Sequence, residues 1–550
     1  GMSLNPQSPN QSPPDTFRVA VAAFPKGNIY IRMRDELGTI YTDEAFAPLF
    51  PVQGTPALAP ACLALITIMQ FVEGLTDRQA ADAVRSRIDW KYALGLELTD
   101  RGFDFSVLSD FRKRLIKGEA ELELLEKMLS CLSEKGLLNK PKQQRTDSTH
   151  ILAAIRVLGR LENIGETLRY ALNSIAAVAP DWLKKIVPST DWYEFYGQRI
   201  QENRLPSSKE ERNLLAVKIG TDGIYLLDAI WSELAPSWLR QIEAVEILRQ
   251  VWIQQFYFDE SGSIQLRTAA NCPPSAILIN SPYDPDARGG NKRTQTWTGY
   301  KVHLSETCDE DAPHLITYVE TEAATTKDHE VTENVHQTLA EQELLPDKHL
   351  VDAGYIDAQL LVDSKNHYEV DLIGPAPGDS QWQSRADKGF ALANFDIDWE
   401  QEKVRCPQGK SSSFWKERLN LYQQPVISVR FKKADCHSCP FRADCTRDKT
   451  GVRTLTLRPK QLHETLFAAR ARQQTSEFKE QYAARAGIEG TISQGTRAFG
   501  LRRCRYRGFP KTRLQHIITA AAINLVRVWQ WWTEAYTFGT RPSRFATLAS

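Results

Sequence analysis

From about residue 60 to 137, apolar residues recur at helical spacing. Pro60 can open a helix at its first position, Ala61 to Glu73 keeps the apolar stripe, and Gly74 stops it. Thr76-Asp77-Arg78-Gln79 reads as a capping box that opens a second helix, Asp77 to Arg87. Ser106 can cap a third, which carries Phe111-Arg112-Lys113-Arg114-Leu115. Short helices with a basic last member resemble a helix-turn-helix module that lies against DNA, although three-helix cores are common without that role. Ahead of them, residues 1–17 are rich in Pro, Gln, Ser and Asn and predict a disordered tail. Residues 541–550 are expected to form a second tail.

The pattern then changes. A strand is expected over Gln143 to Thr149, followed by a mostly helical region from Ile151 to about Gln254 with breaks at Pro180, Pro188 and Pro206. Period-two alternation marks strands at Tyr300 to Leu304 and Leu315 to Glu320. A helix follows Asp328, which lines the site or, more simply, caps that helix, and runs to about Gln342. Short apolar runs at His349-Leu350-Val351, ending on Asp352, and at Val370 to Pro375 add further strands. Ile517 to Val528 is apolar but interrupted by Asn524 and Arg527, which fits a buried helix better than a membrane span. Trp529, Trp531 and Trp532 read as core packing at its end. The fold class is therefore α/β.

Composition narrows the function. The 550 residues are 42% hydrophobic and 25% charged with zero formal net charge, the balance of a soluble globular protein. Cations are nonetheless concentrated: Gln481 to Gln515 holds eight Arg or Lys against one acid, Glu489. That density can neutralise several phosphates. The N-terminus shows no charged-then-apolar leader and the nine cysteines do not suggest a disulfide framework, so a cytoplasmic location is expected.

Candidate chemistry centres on Gln481 to Gly490. On a helix, Tyr482, Arg485 and Glu489 would share one face, a hydroxyl, a cation and a carboxylate suited to gripping a phosphodiester beside a metal ion. The plainer alternative is a solvated face with an Arg485–Glu489 pair. Two acids upstream favour the first reading: Asp147 in Arg145-Thr146-Asp147-Ser148-Thr149-His150, and Asp352 in Val351-Asp352-Ala353-Gly354-Tyr355. Three carboxylates can hold magnesium for displacement at phosphorus. His150 and His303 are left out, because two-metal phosphoryl transfer needs no histidine base.

These motifs together resemble the DDE transposases of bacterial insertion sequences. The resemblance rests on Tyr482-x2-Arg485-x3-Glu489 with Thr146-Asp147-Ser148-Thr149-His150 and Val351-Asp352-Ala353-Gly354-Tyr355. It extends through Trp297 to Leu304, Tyr283 to Arg288, His314-Leu315-Ile316, Asp371 to Pro375, Asp89-Trp90-Lys91-Tyr92 and Phe103-Asp104, covering roughly residues 50 to 535. It implies a ribonuclease-H-like catalytic domain over 141–540, preceded by a helical DNA-binding domain over 18–140. Asp147, Asp352 and Glu489 would be the catalytic, magnesium- or manganese-binding acids, and Tyr482 and Arg485 would hold phosphate oxygens. Where the family usually has a Lys seven positions after the Glu, this chain has Thr496, and Arg497 is expected to take over that contact. Arg502, Arg503, Arg505, Arg507 and Lys511 would position the DNA backbone. The implied activity is cleavage at transposon ends and strand transfer into target DNA, by a homo-oligomer that gathers two double-stranded ends at the nucleoid. An inactive DNA-binding derivative and a nuclease without strand transfer are the rival readings.

The long separations between the acids imply two insertions, a helical one at 151–270 and a cysteine-containing one at 376–455. The second holds Cys406-Pro407-Gln408-Gly409 and Cys436-His437-Ser438-Cys439, with Cys445 following. Four thiolates can make a tetrahedral zinc site, with an iron–sulfur cluster or unligated thiols as the alternatives.

Overall fold

The computed structural model describes residues 12–50, 58–292 and 294–533, together with a pair of two-residue strands at Met2–Ser3 and Thr55–Pro56. The expected tail at 541–550 and most of that at 1–17 lie outside the described residues. The chain forms two compact units, one of residues 1–139, 147–326 and 488–550, the other of 140–146 and 327–487.

In the first unit, helices Pro60–Glu73, Asp77–Ser86 and Ser106–Lys117 form where the pattern puts them. Gly74 ends the first in the left-handed conformation, and both halves of the Thr76/Gln79 capping box are made. Ser106 is the first residue of the third rather than its cap: the cap position is Phe105, which makes no side-chain capping bond, and the Asp104 carboxylate accepts from the Ser106 N–H at 2.9 Å. Helix Pro14–Ala23 begins inside the stretch expected to be disordered, because Thr16 buries its hydroxyl on the Leu96 carbonyl at 2.8 Å.

The segment 18–139 belongs to the first unit. Its helices pack around the C-terminal helix Phe509–Trp532 and fall in the same unit. That helix is buried on nearly its whole circumference, as an all-round apolar helix must be. The two polar residues that interrupt it tie it to the sheet. Asn524 pairs with both backbone groups of Ile316, at 2.7 and 2.8 Å, and Arg527 reaches Glu306. Trp529, Trp531 and Trp532 are only half-buried at its end, and are not core residues.

Strands Arg288–Lys292, Gln295–Thr307 and Ile316–Ala323 pair antiparallel, and the later part of strand Gln143–Leu152 runs beside the second. Gly299 in the Trp297-to-Leu304 motif is required by that approach, since a Cβ there would strike the Ile151 carbonyl. The expected helical insertion holds helices Arg160–Val178, Lys209–Trp231 and Glu243–Gln255 around Leu168, Ile219, Leu226 and Val251. A short hairpin, Phe256–Phe258 with Ile264–Leu266, closes it.

The second unit starts from the same strand. Gln143 to Thr146 pair in parallel with Lys348–Val351, which pairs in parallel with Asp371–Ile373. Helices Thr332–Glu341, Ala358–Tyr368 and Lys460–Gln473 accompany these strands. Between Ile373 and Lys460 the chain builds a small module. It comprises the hairpin Asp396–Asp398/Lys403–Arg405 and the antiparallel strands Phe414–Leu419, Pro425–Arg430 and Thr454–Leu457.

Candidate functional site

The stretch that carries Tyr482, Arg485 and Glu489 is not one uninterrupted helix. Helix Ser476–Ala483 gives way to a tighter 3₁₀ turn, Ala484–Ala486, before helix Gly487–Phe499 begins. The three side chains therefore come from two helices and the turn between them. The cause lies in strand Gln143–Leu152, where Arg145 donates from Nη1 to the Ala484 carbonyl at 2.6 Å. Gly487 makes room for that guanidinium, which a Cβ would strike. Tyr482 stacks on Phe478 with ring centroids 5.5 Å apart. Arg485, its side chain only 13% exposed, brings Nη2 within 3.8 Å of the Asp352 carboxylate.

Asp352 directly follows strand Lys348–Val351 and caps the turn Ala353–Tyr355, its Oδ1 accepting from the Gly354 N–H at 2.8 Å. Asp147 lies within its strand, buried, with Oδ1 accepting from the Ser148 N–H at 2.7 Å. Thr146 is paired with Val351, and each of these residues is followed by an aspartate. Behind this pair His349 is fully buried, with Nε2 2.6 Å from the Thr146 hydroxyl and Nδ1 2.8 Å from Nε2 of His336. Burial lowers His336 to about 4, and burial beside His336 pushes His349 well below the usual imidazole range.

Glu489 is exposed in the first turn of helix Gly487–Phe499. Two residues on, Thr491 donates to Glu306 at 2.6 Å, and Arg527 donates to both, at 2.6 and 2.5 Å. This buried cluster fixes the helix that carries Glu489. Of the two readings of Asp328, the cap is not made. Helix Thr332–Glu341 has no side-chain cap, and the Asp328 carboxylate stands against Gly354, two residues past Asp352. Spacing in the chain held no signal for that proximity.

The cationic residues divide. From Arg502 to Arg507 exposure alternates, so Arg503, Arg505 and Arg507 face outward while Arg502, Cys504 and Tyr506 are half-buried. Arg502 donates to the Thr149 hydroxyl at 2.9 Å. Arg505 lies 4.6 Å over the Phe71 ring and Arg507 5.8 Å over that of Tyr283. Arg497 and Lys511 are exposed, while Thr496 turns its hydroxyl back to the Ile492 carbonyl at 2.8 Å.

In the small module, Cys406, Cys436, Cys439 and Cys445 line one cavity of about 220 Å³. Among the described residues, no three His, Cys, Asp or Glu side chains are gathered as a group that could hold a metal ion, and none of the helices is long and apolar enough to cross a membrane.

The family described as "Transposase DDE domain" matches residues 405–529, and "Transposase domain (DUF772)" matches residues 19–114. The chain therefore carries two transposase domains, one of them a DDE domain. No curated protein and no solved structure matches it significantly. The DDE-domain match takes in the four clustered cysteines, Tyr482, Arg485, Glu489, the arginine run and most of the last helix. It begins after both aspartates, so Asp147 and Asp352 rest on their own geometry. The other match covers the N-terminal helices through most of Ser106–Lys117.

Proposed function

We propose that this transposase cuts DNA at the ends of its mobile element and joins the freed 3′ hydroxyls to target DNA, using Asp147, Asp352 and Glu489 as its metal-holding acids. The observation that carries this reading is the pairing of Thr146 with Val351, each directly followed by an aspartate at a parallel strand pair. Arg145, two residues before Asp147, holds the turn that leads into Glu489. One strand that takes part in an antiparallel group and in a parallel group supports a ribonuclease-H-like core.

The donor set fits the metal. Carboxylate oxygens are the hard ligands that magnesium and manganese prefer. A divalent ion held there would lower the pKa of a bound water or hydroxyl and stabilise the leaving oxygen. Arg485, which already stands beside Asp352, would fork onto a phosphate oxygen, with Tyr482 as a second donor. Arg497, Arg503, Arg505, Arg507 and Lys511 offer outward cations for the DNA backbone. A homo-oligomer follows from the need to hold two ends at once.

The test uses a supercoiled plasmid carrying the DNA that flanks the coding sequence, incubated with magnesium. Asp147→Asn, Asp352→Asn and Glu489→Gln are each expected to abolish cleavage while gel-shift binding persists. Cleavage by Asp147→Asn at the wild-type rate would sink the assignment. Cutting without sequenced joints into target DNA would instead make the protein a nuclease.

A further inference from the structure

We propose that Cys406, Cys436, Cys439 and Cys445 hold a structural zinc ion that clamps the small module between Phe395 and Leu457. The inference is independent of the DNA chemistry.

All four cysteines are unpaired, half-buried, and on the wall of one cavity. They come from three turns of chain that are each built to present sulfur. At Cys406-Pro407-Gln408-Gly409-Lys410, the Gly409 N–H donates to the Cys406 carbonyl at 2.8 Å and Gly409 takes φ 77°. The next N–H, of Lys410, then points at the Cys406 sulfur itself, 3.4 Å away. A backbone donor aimed at sulfur stabilises the thiolate, the form that binds metal. Cys436 and Cys439 flank the end of helix Lys433–His437, where the Cys439 N–H closes a turn on the Cys436 carbonyl at 3.3 Å. Cys445 ends helix Arg442–Cys445.

The second observation is Arg453, only 6% exposed on the same cavity. Its two terminal nitrogens donate to the carbonyls of Cys445 and Phe390, at 3.0 and 3.4 Å, yet its buried Nε has no partner among the described residues. A guanidinium buried in this way needs a negative counterpart. Four thiolates around one Zn²⁺ carry two net negative charges. Lys410, Arg442 and Arg453, set against Asp435, give the cavity wall two net positive charges.

The sulfurs are not drawn in to ligand distance as they stand. Zinc entry would replace four S–H protons, released to solvent, with four Zn–S bonds of about 2.3 Å. The module has reason to need this clamp, because its core is seven buried apolar residues. Cores that small are commonly completed by a metal or a disulfide.

The experiment is elemental analysis of the full chain purified without chelator. About one zinc per chain is expected, lost in Cys436→Ser and Cys439→Ser and kept in Cys272→Ser, whose thiol lies outside the cluster. Should the serine variants fail to fold, the wild-type protein is titrated with a mercurial thiol reagent and zinc release is followed with a colorimetric chelator. Release that tracks modification of the four clustered thiols supports the site. No zinc, zinc unaffected by either treatment, or iron with sulfide in its place would each overturn it.

Discussion

Arg145 donates from Nη1 to the carbonyl oxygen of Ala484 at 2.6 Å, across 339 residues of sequence. The contact links the strand that carries Asp147 to the turn that precedes Glu489. Its donor is buried and its partner is backbone, so the turn is set by one guanidinium rather than by helix propensity.

Gly487→Ala is expected to cost about 1–3 kcal/mol, because the new Cβ displaces the Arg145 guanidinium and leaves buried polar groups unsatisfied. Urea unfolding measures it. In an Arg145→Ala background the same change should cost much less; an undiminished cost would show that the collision is not the cause.

Arg527→Met is expected to destabilise the chain by about 3–5 kcal/mol, since it removes the guanidinium that neutralises the buried Glu306 carboxylate. Arg527→Met with Glu306→Gln should regain part of that loss. Equal denaturation midpoints for wild type and Arg527→Met would refute the role assigned to the cluster.

Stability should fall on acidification below about pH 6.5. His336 is lowered from 6.5 to about 4 by burial, so the folded chain refuses a proton that the unfolded chain accepts. The contribution is complete above 6.5 and is lost as pH drops towards 4. His463, lowered to about 4, and His516, lowered to about 3, act in the same direction. His336→Asn should therefore flatten the pH dependence of the urea midpoint without removing it, and an unchanged slope would count against the buried pair.

Arg503→Ala and Arg507→Ala are each expected to weaken DNA binding and to reduce the slope of log affinity against log salt by about one. Arg502→Ala, whose target donates to Thr149, should lower thermal stability and leave that slope nearly unchanged. A salt titration by fluorescence anisotropy separates the two classes. Identical slopes for all three variants would mean that the alternation in exposure does not select the DNA contacts.

Elements governed by local rules were legible in the chain. The capping box at Thr76, the Gly74 stop, the strands around Tyr300 and Leu315, and the buried helix through Ile517 all follow from periodicity and backbone chemistry within a few residues. The acids Asp147 and Asp352 could be placed at strands for the same reason. The basic run could be counted but not sorted, because whether Arg502 faces Thr149 or solvent depends on a strand some 350 positions away.

Sequence by itself thus determined the element types, the candidate acids and the cysteine spacing, since each depends on neighbours along the chain. Tertiary structure decided what long-range contacts alone can decide. It broke the helix at Ala484 through Arg145 and decided between the two readings of Asp328, setting it beside Gly354. It also wrapped the N-terminal helices around Phe509–Trp532 and gathered four cysteines from a 40-residue span onto one cavity. In each case the deciding partner is remote in sequence and its pull outweighs the weak local preference at the site.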